Sequence, residues 1–101
     1  MALIEVSTIP LGTGTPSVSR YVARAVEVLQ GEKDIKYELT PMGTIVEGDL
    51  ERLLALVRKM HEAVFDTEVM RVVTVIKIDD RRDKATSMSG KMESLRRELG
   101  R

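Results

Sequence analysis

The sequence predicts an α+β fold: a four-stranded antiparallel sheet, two helices on one of its faces, and an extra helix at the C-terminus. Three observations lead there. Lys36 to Gly48 reads as a strand, a tight reversal at Pro41-Met42-Gly43 and a second strand. An amphipathic helix pattern lies on each side of that hairpin. Beyond each helix lies a segment with strand periodicity.

The hairpin rests on Tyr37, Leu39, Ile45 and Val46, the β-branched, aromatic and aliphatic residues that suit a half-buried pleated surface. Proline presets φ at its tip, and Gly43 is the residue that would tolerate a positive φ there. Ala2 to Ile9 forms the first strand, with Ile4, Val6 and Thr8 on one face and Leu3, Glu5, Ser7 and Ile9 on the other. A loop with Gly12 and Gly14 follows. Thr15 as N-cap and Pro16 as first helical residue then open a helix running from Ser17 to Gln30. Its apolar stripe is Val18, Val22, Ala25 and Leu29, and Gly31 ends it. After the hairpin, Asp49 caps a second helix with the stripe Leu50, Leu53, Leu54, Val57, His61 and Val64. Met70 to Asp79 is the last strand. Ser87 or Ser89 caps a final helix whose apolar edge is Met88, Met92, Leu95 and Leu99.

The order β-α-β-β-α-β is the split βαβ, ferredoxin-like arrangement. Right-handed crossovers put both helices on one sheet face and pair the first strand with the third and the last. The helix-covered face then carries Ile4, Val6, Tyr37, Leu39, Val46, Val72, Ile76 and Ile78. Leu3, Ile9, Ile45, Val73 and Val75 on the opposite face form an apolar patch that another sheet or subunit covers, or else the terminal helix folding back.

At 101 residues the chain is expected to form a single domain, 1–101, around one core. Sixteen basic and sixteen acidic side chains cancel, so no net field draws it to nucleic acid or an anionic membrane. Its three aromatics are too few for a base-stacking sheet. Without cysteine there is no disulfide, thiolate nucleophile or thiolate metal site. No basic leader precedes an apolar run and no stretch reaches membrane-spanning length, so a cytoplasmic location is expected.

Thr8, Thr44 and Thr74 stand on the helix-facing side where aliphatics would be expected. Strand polarity makes the ends bearing Thr8 and Thr44 neighbours, and the first helix starts at that end of the sheet. Thr8, Ser19, Met42, Gly43 and Thr44 therefore wall a small hollow with hydroxyls inside an apolar surround, the usual make-up of a small-molecule site. Such threonines can equally serve nearby backbone groups. His61 lies on an apolar stripe without a second histidine and reads as a satisfied core side chain. Asp79 to Lys84 interleaves both charge signs and reads as a solvated, self-paired run rather than a metal loop. Gly12-Thr13-Gly14 before a helix could hold an anion, although a flexible loop has the same composition. No nucleophile–base–orienter set assembles, which disfavours an enzyme.

Ile9 to Thr13, Ser17 to Val22, Met42-Gly43-Thr44-Ile45-Val46-Glu47-Gly48 and Thr74 to Arg82 together resemble the small thiamine-binding proteins of bacteria, archaea and yeast, over essentially the whole chain. The resemblance implies a ferredoxin-like fold, homo-oligomers built as dimers of dimers through sheet faces and edges, and non-catalytic binding of thiamine or its hydroxymethylpyrimidine moiety. It implies neither cofactor nor metal. Glu47, the acid of the most specific segment, joins the ligand-binding set on that basis as a partner for the cationic thiazolium. The alternatives are a regulatory or structural oligomerisation module without a metabolite, and a small acid–base enzyme using Glu5 or Glu47.

Overall fold

The protein, seen in a computed structural model that describes residues 1–100, runs β1 (Ala2–Pro10), α1 (Ser19–Glu27), β2 (Lys36–Thr40), β3 (Gly43–Gly48), α2 (Leu50–Val64), β4 (Val72–Asp79) and α3 (Met88–Glu98). Arg101 lies outside the described residues. The strands form one antiparallel sheet in the order β2-β3-β1-β4. β1 pairs on one side with β3, where Ile4 faces Val46 and Val6 faces Thr44. On its other side Ile4 faces Ile78 and Thr8 faces Thr74 of β4. This is the predicted fold.

Period-two alternation sends Ala2, Ile4, Val6 and Thr8 to the helix side, where the core forms. Leu29 from the end of the first helical segment, Leu53, Leu56, Met60 and Val64 of α2, and Val69 before β4 complete it. Each such side chain stabilises the fold by about 1.5–3 kcal/mol through burial. The stripe of α2 is turned from the expected one. Leu56 and Met60 meet the sheet, while Leu54 is exposed and His61 lies at the margin.

α1 begins later than the sequence suggested. Thr15 does not cap it: its hydroxyl accepts the Ser17 N–H at 3.3 Å within a local turn, a bond that competes with helical geometry. Val18 stands at the cap position without a side-chain bond. At the other end the chain tightens, with Val28, Leu29 and Gln30 donating to carbonyls three residues back. Gly31 then turns it aside at φ +83°.

The β2–β3 reversal also differs. Gly43 has no positive φ and opens β3. The Thr40 hydroxyl makes the turn instead, accepting the Gly43 N–H at 3.1 Å and donating to the Gly43 carbonyl at 2.8 Å. β4 starts at Val72 rather than Met70, although Arg71 already accepts the Leu11 N–H.

The helices sit over the two central strands and leave the flanks bare. Leu39 on β2 and Ile76 and Ile78 on β4 are exposed although they face the helix side. On the opposite face the first turn of α3 closes over one end of the sheet, burying Leu3 and Glu47. Ile9, Val73 and Val75 stay open beyond it. α3 itself has no buried residue. The radius of gyration, 15.2 Å, exceeds the roughly 13 Å of a compact 100-residue domain.

Candidate functional site

A hollow of about 740 Å³ opens between α1 and the β2–β3 hairpin. Its position follows from the sheet order. β2 is an edge strand, and α1 packs against α2 and the central strand β1. Val6, Thr8 and Thr44 make the floor, Ser19, Val22 and Val26 of α1 one wall, and Leu39, Pro41, Met42 and Gly43 the other. Leu39 at 59% exposure and Met42 at 85% are large apolar side chains in the open, and both look onto this space. Thr40 fastens the hairpin wall from within.

The floor is the informative part. Thr8 and Thr44 are only 6% and 4% exposed. No fully buried side-chain polar atom in the described residues lacks a partner, and neither threonine hydroxyl has one. Both hydroxyls therefore reach the surface of the hollow. Each can donate one hydrogen bond and accept two. Thr74, register partner of Thr8, does not share this role, because its hydroxyl lies 2.6 Å from His61 Nδ1. That contact, with the edge of Phe65 5.2 Å away between ring centroids, accounts for the histidine.

Of the residues expected from the sequence, Thr8, Ser19, Met42, Gly43 and Thr44 all line the hollow. Glu47 does not. Its β3 position points to the opposite face, where Oε1 accepts the Met88 backbone N–H at 2.9 Å. The carboxylate is buried and holds α3 in place, so the structure gives no contact between it and this site. The Gly12–Gly14 loop is absent from the lining as well. Glu27, Gln30, Leu39 and Met60 line the hollow without having been picked out. Val22, expected on the core stripe, is exposed and shares a second face with Ser19, Ala23, Val26 and Gln30, while Tyr21, Ala25 and Leu29 enter the core.

Electrostatically the lining holds a single charged side chain, Glu27. The arginines of α1 turn away from it. Arg20 donates to the Tyr21 hydroxyl at 2.7 Å and lies over its ring. Arg24 donates to Asp66 at 2.7 Å. That bond, helped by the backbone N–H groups of Glu68 and Val69, holds the Asp66 carboxyl below the usual range. The Asp79–Lys84 run is self-paired, with Arg81 on Asp83 and Arg82 on Asp80. Among the described residues no group of three histidine or acidic side chains could hold a metal ion, and no helix is long and apolar enough to cross a membrane.

Comparison with known proteins gives a consistent family. The UPF0045 protein YqgV of Bacillus subtilis is 50% identical over 102 residues, covering 98% of each chain. The crystal structure of MJ1052 from Methanocaldococcus jannaschii superposes with a TM-score of 0.84 at 41% identity, over 93% of this chain and 94% of that one. A Thermotoga maritima protein, TM0486, assigned provisionally to thiamine biosynthesis or salvage, shares the fold at a TM-score of 0.74 and 20% identity, over 93% and 97% of the two chains. A family model described as thiamine-binding protein matches residues 4–96. The chain belongs to this thiamine-binding protein family.

Proposed function

We propose that the protein binds thiamine or its hydroxymethylpyrimidine half without transforming it, in the hollow between α1 and the hairpin. The observation that carries the reading is the pair of unpartnered hydroxyls, Thr8 and Thr44, on the floor of a mostly apolar cavity. A planar heteroaromatic ring with exocyclic nitrogen fits such a place, since apolar walls take its faces and the hydroxyls take its edge. Family membership supports the same ligand. Ser19, Met42 and Gly43 border the space and complete the contact set. Glu47 is left out of it, because its carboxylate already serves α3.

Titration calorimetry with thiamine and with hydroxymethylpyrimidine tests the proposal. Saturable heat is expected, with a rise in Tm that grows with ligand concentration, as mass action demands. The ligand should be recovered unchanged. No heat and no thermal shift at millimolar ligand overturns the reading.

The proposal extends to a cytoplasmic homo-oligomer assembled as a dimer of dimers. Val73 and Val75 on the open face and Ile76 and Ile78 on the other side of the same edge strand support it. Bare apolar edges are a liability that association removes.

A further inference from the structure

The charge inventory of the hollow deepens the proposed function, on which this inference rests. Nineteen residues line it, and no lysine or arginine is among them. The side chain of its one acidic residue, Glu27, has no ion-pair or hydrogen-bond partner among the described residues. The nearest cations on the same helix, Arg20 and Arg24, are committed to Tyr21 and Asp66 on a different face. Phosphate sites in proteins are built from arginine or lysine forks, or from glycine-rich loops that aim backbone N–H groups. Here the glycine-rich loop, Gly12–Gly14, stands outside the lining. The N-terminus of α1 does reach the hollow at Ser19, but it offers about half a positive charge against the full negative charge two turns along.

We infer that the site selects the free, cationic form of its ligand and rejects phosphorylated forms, with Glu27 as the counter-ion of the cationic ring. A phosphate ester at neutral pH carries about −1.5 to −2 charges. In the hollow it would meet no cation and would stand beside the exposed carboxylate at the rim. A thiazolium loses less, since a quaternary ring is weakly hydrated and gains an opposite charge. Gln30, one turn beyond Glu27 on the same lining face, adds a neutral amide able to bond the exocyclic amine.

The test is calorimetric titration of the wild type, Glu27→Gln and Glu27→Lys with thiamine, thiamine monophosphate, thiamine diphosphate and neutral hydroxymethylpyrimidine, at low and moderate salt. Thiamine should bind at least about tenfold more tightly than its diphosphate, a difference of about 1.4 kcal/mol. Glu27→Gln should weaken thiamine about three- to tenfold, narrow its lead over the diphosphate, and leave the pyrimidine unchanged; an exposed ion pair has this scale and fades with salt. Glu27→Lys should bring the diphosphate level with thiamine or ahead of it. Equal wild-type affinities for thiamine and its diphosphate overturn the selectivity, and a Glu27→Gln that binds thiamine normally overturns the counter-ion role, each leaving the binding reading intact. Absence of binding by both thiamine and the pyrimidine overturns the binding reading itself and the selectivity with it.

Discussion

The Glu47 carboxylate accepts the backbone N–H of Met88 at 2.9 Å, across forty-one positions of the chain. This bond fixes where α3 starts. Ser87 caps the same turn by accepting the Gly90 N–H at 3.0 Å, so two side chains serve the exposed donors of one helix end. Lys91 adds an ion pair to Asp79 of β4. The helix is thus held by polar contacts at its first turn, and its apolar edge at Met92, Leu95 and Leu99 stays exposed.

Removing that anchor should loosen α3 and little else. Glu47→Ala is expected to cost about 1.5–3 kcal/mol, the scale of a hydrogen bond to a charged group. Hydrogen exchange should show faster amides from Met88 onward, with β1 and β3 still protected. Unchanged exchange in α3 would mean that the bond does not hold the helix.

Thr8→Val and Thr44→Val should each leave the fold intact, because neither hydroxyl serves another group within the chain. Ligand affinity should fall by about 1–2 kcal/mol per substitution, one hydrogen bond each. Calorimetry on the two variants checks this. Wild-type affinity in both would move the ligand elsewhere.

Asp66 supplies a pH dependence of stability. Its carboxyl is lowered first by the Arg24 hydrogen bond and then by the backbone N–H groups of Glu68 and Val69. A group with a lower folded than unfolded pKa binds fewer protons when folded. Its contribution is complete above the unfolded value of about 4, and is lost as pH falls through the folded one. Asp66→Asn should therefore lower Tm at neutral pH, with the gap from wild type closing in the acid range below about pH 4. Calorimetric melting across that range decides it.

Gly48 ends β3 against the core. A Cβ there would come within 3.2 Å of both Ile35 Cγ2 and Leu53 Cδ2, and within 3.5 Å of the Asp34 carbonyl. Gly48→Ala is expected to destabilise by about 1–3 kcal/mol through overpacking, read as an earlier denaturant midpoint at unchanged slope.

The proposed assembly makes its own prediction. Val75 is 54% exposed on the open face of an edge strand. Val75→Glu should raise the subunit dissociation constant at least about tenfold, some 1.4 kcal/mol, in sedimentation equilibrium. A wild type that sediments as a monomer would dismiss the assembly outright.

Much of this was legible in the residues. Alternation in β1 and the position of the hairpin between two helical patterns were enough for the sheet order, because handed crossovers leave few alternatives. The gathering of Thr8, Ser19 and Thr44 at one place then followed from strand polarity. Less visible were features that depend on competition between local bonds. Thr15 had the right type for a helix cap but spent its hydroxyl on a tighter turn. Gly43 invited a positive φ that the Thr40 hydroxyl made unnecessary. Strand parity already puts Glu47 on the face opposite the hollow; what stayed hidden was the helix some forty residues later that claims its carboxylate. Glu27 and Gln30 carry no distinguishing mark in the sequence, and only the hairpin set opposite them makes them part of the lining.

The internal fastening of the hairpin tip by Thr40 bears on kinetics. A wall that is already stiff spends little conformational entropy when a guest arrives, so intrinsic contacts translate more fully into affinity. For the proposed ligand, the lifetime of the complex should then follow the strength of the contacts themselves.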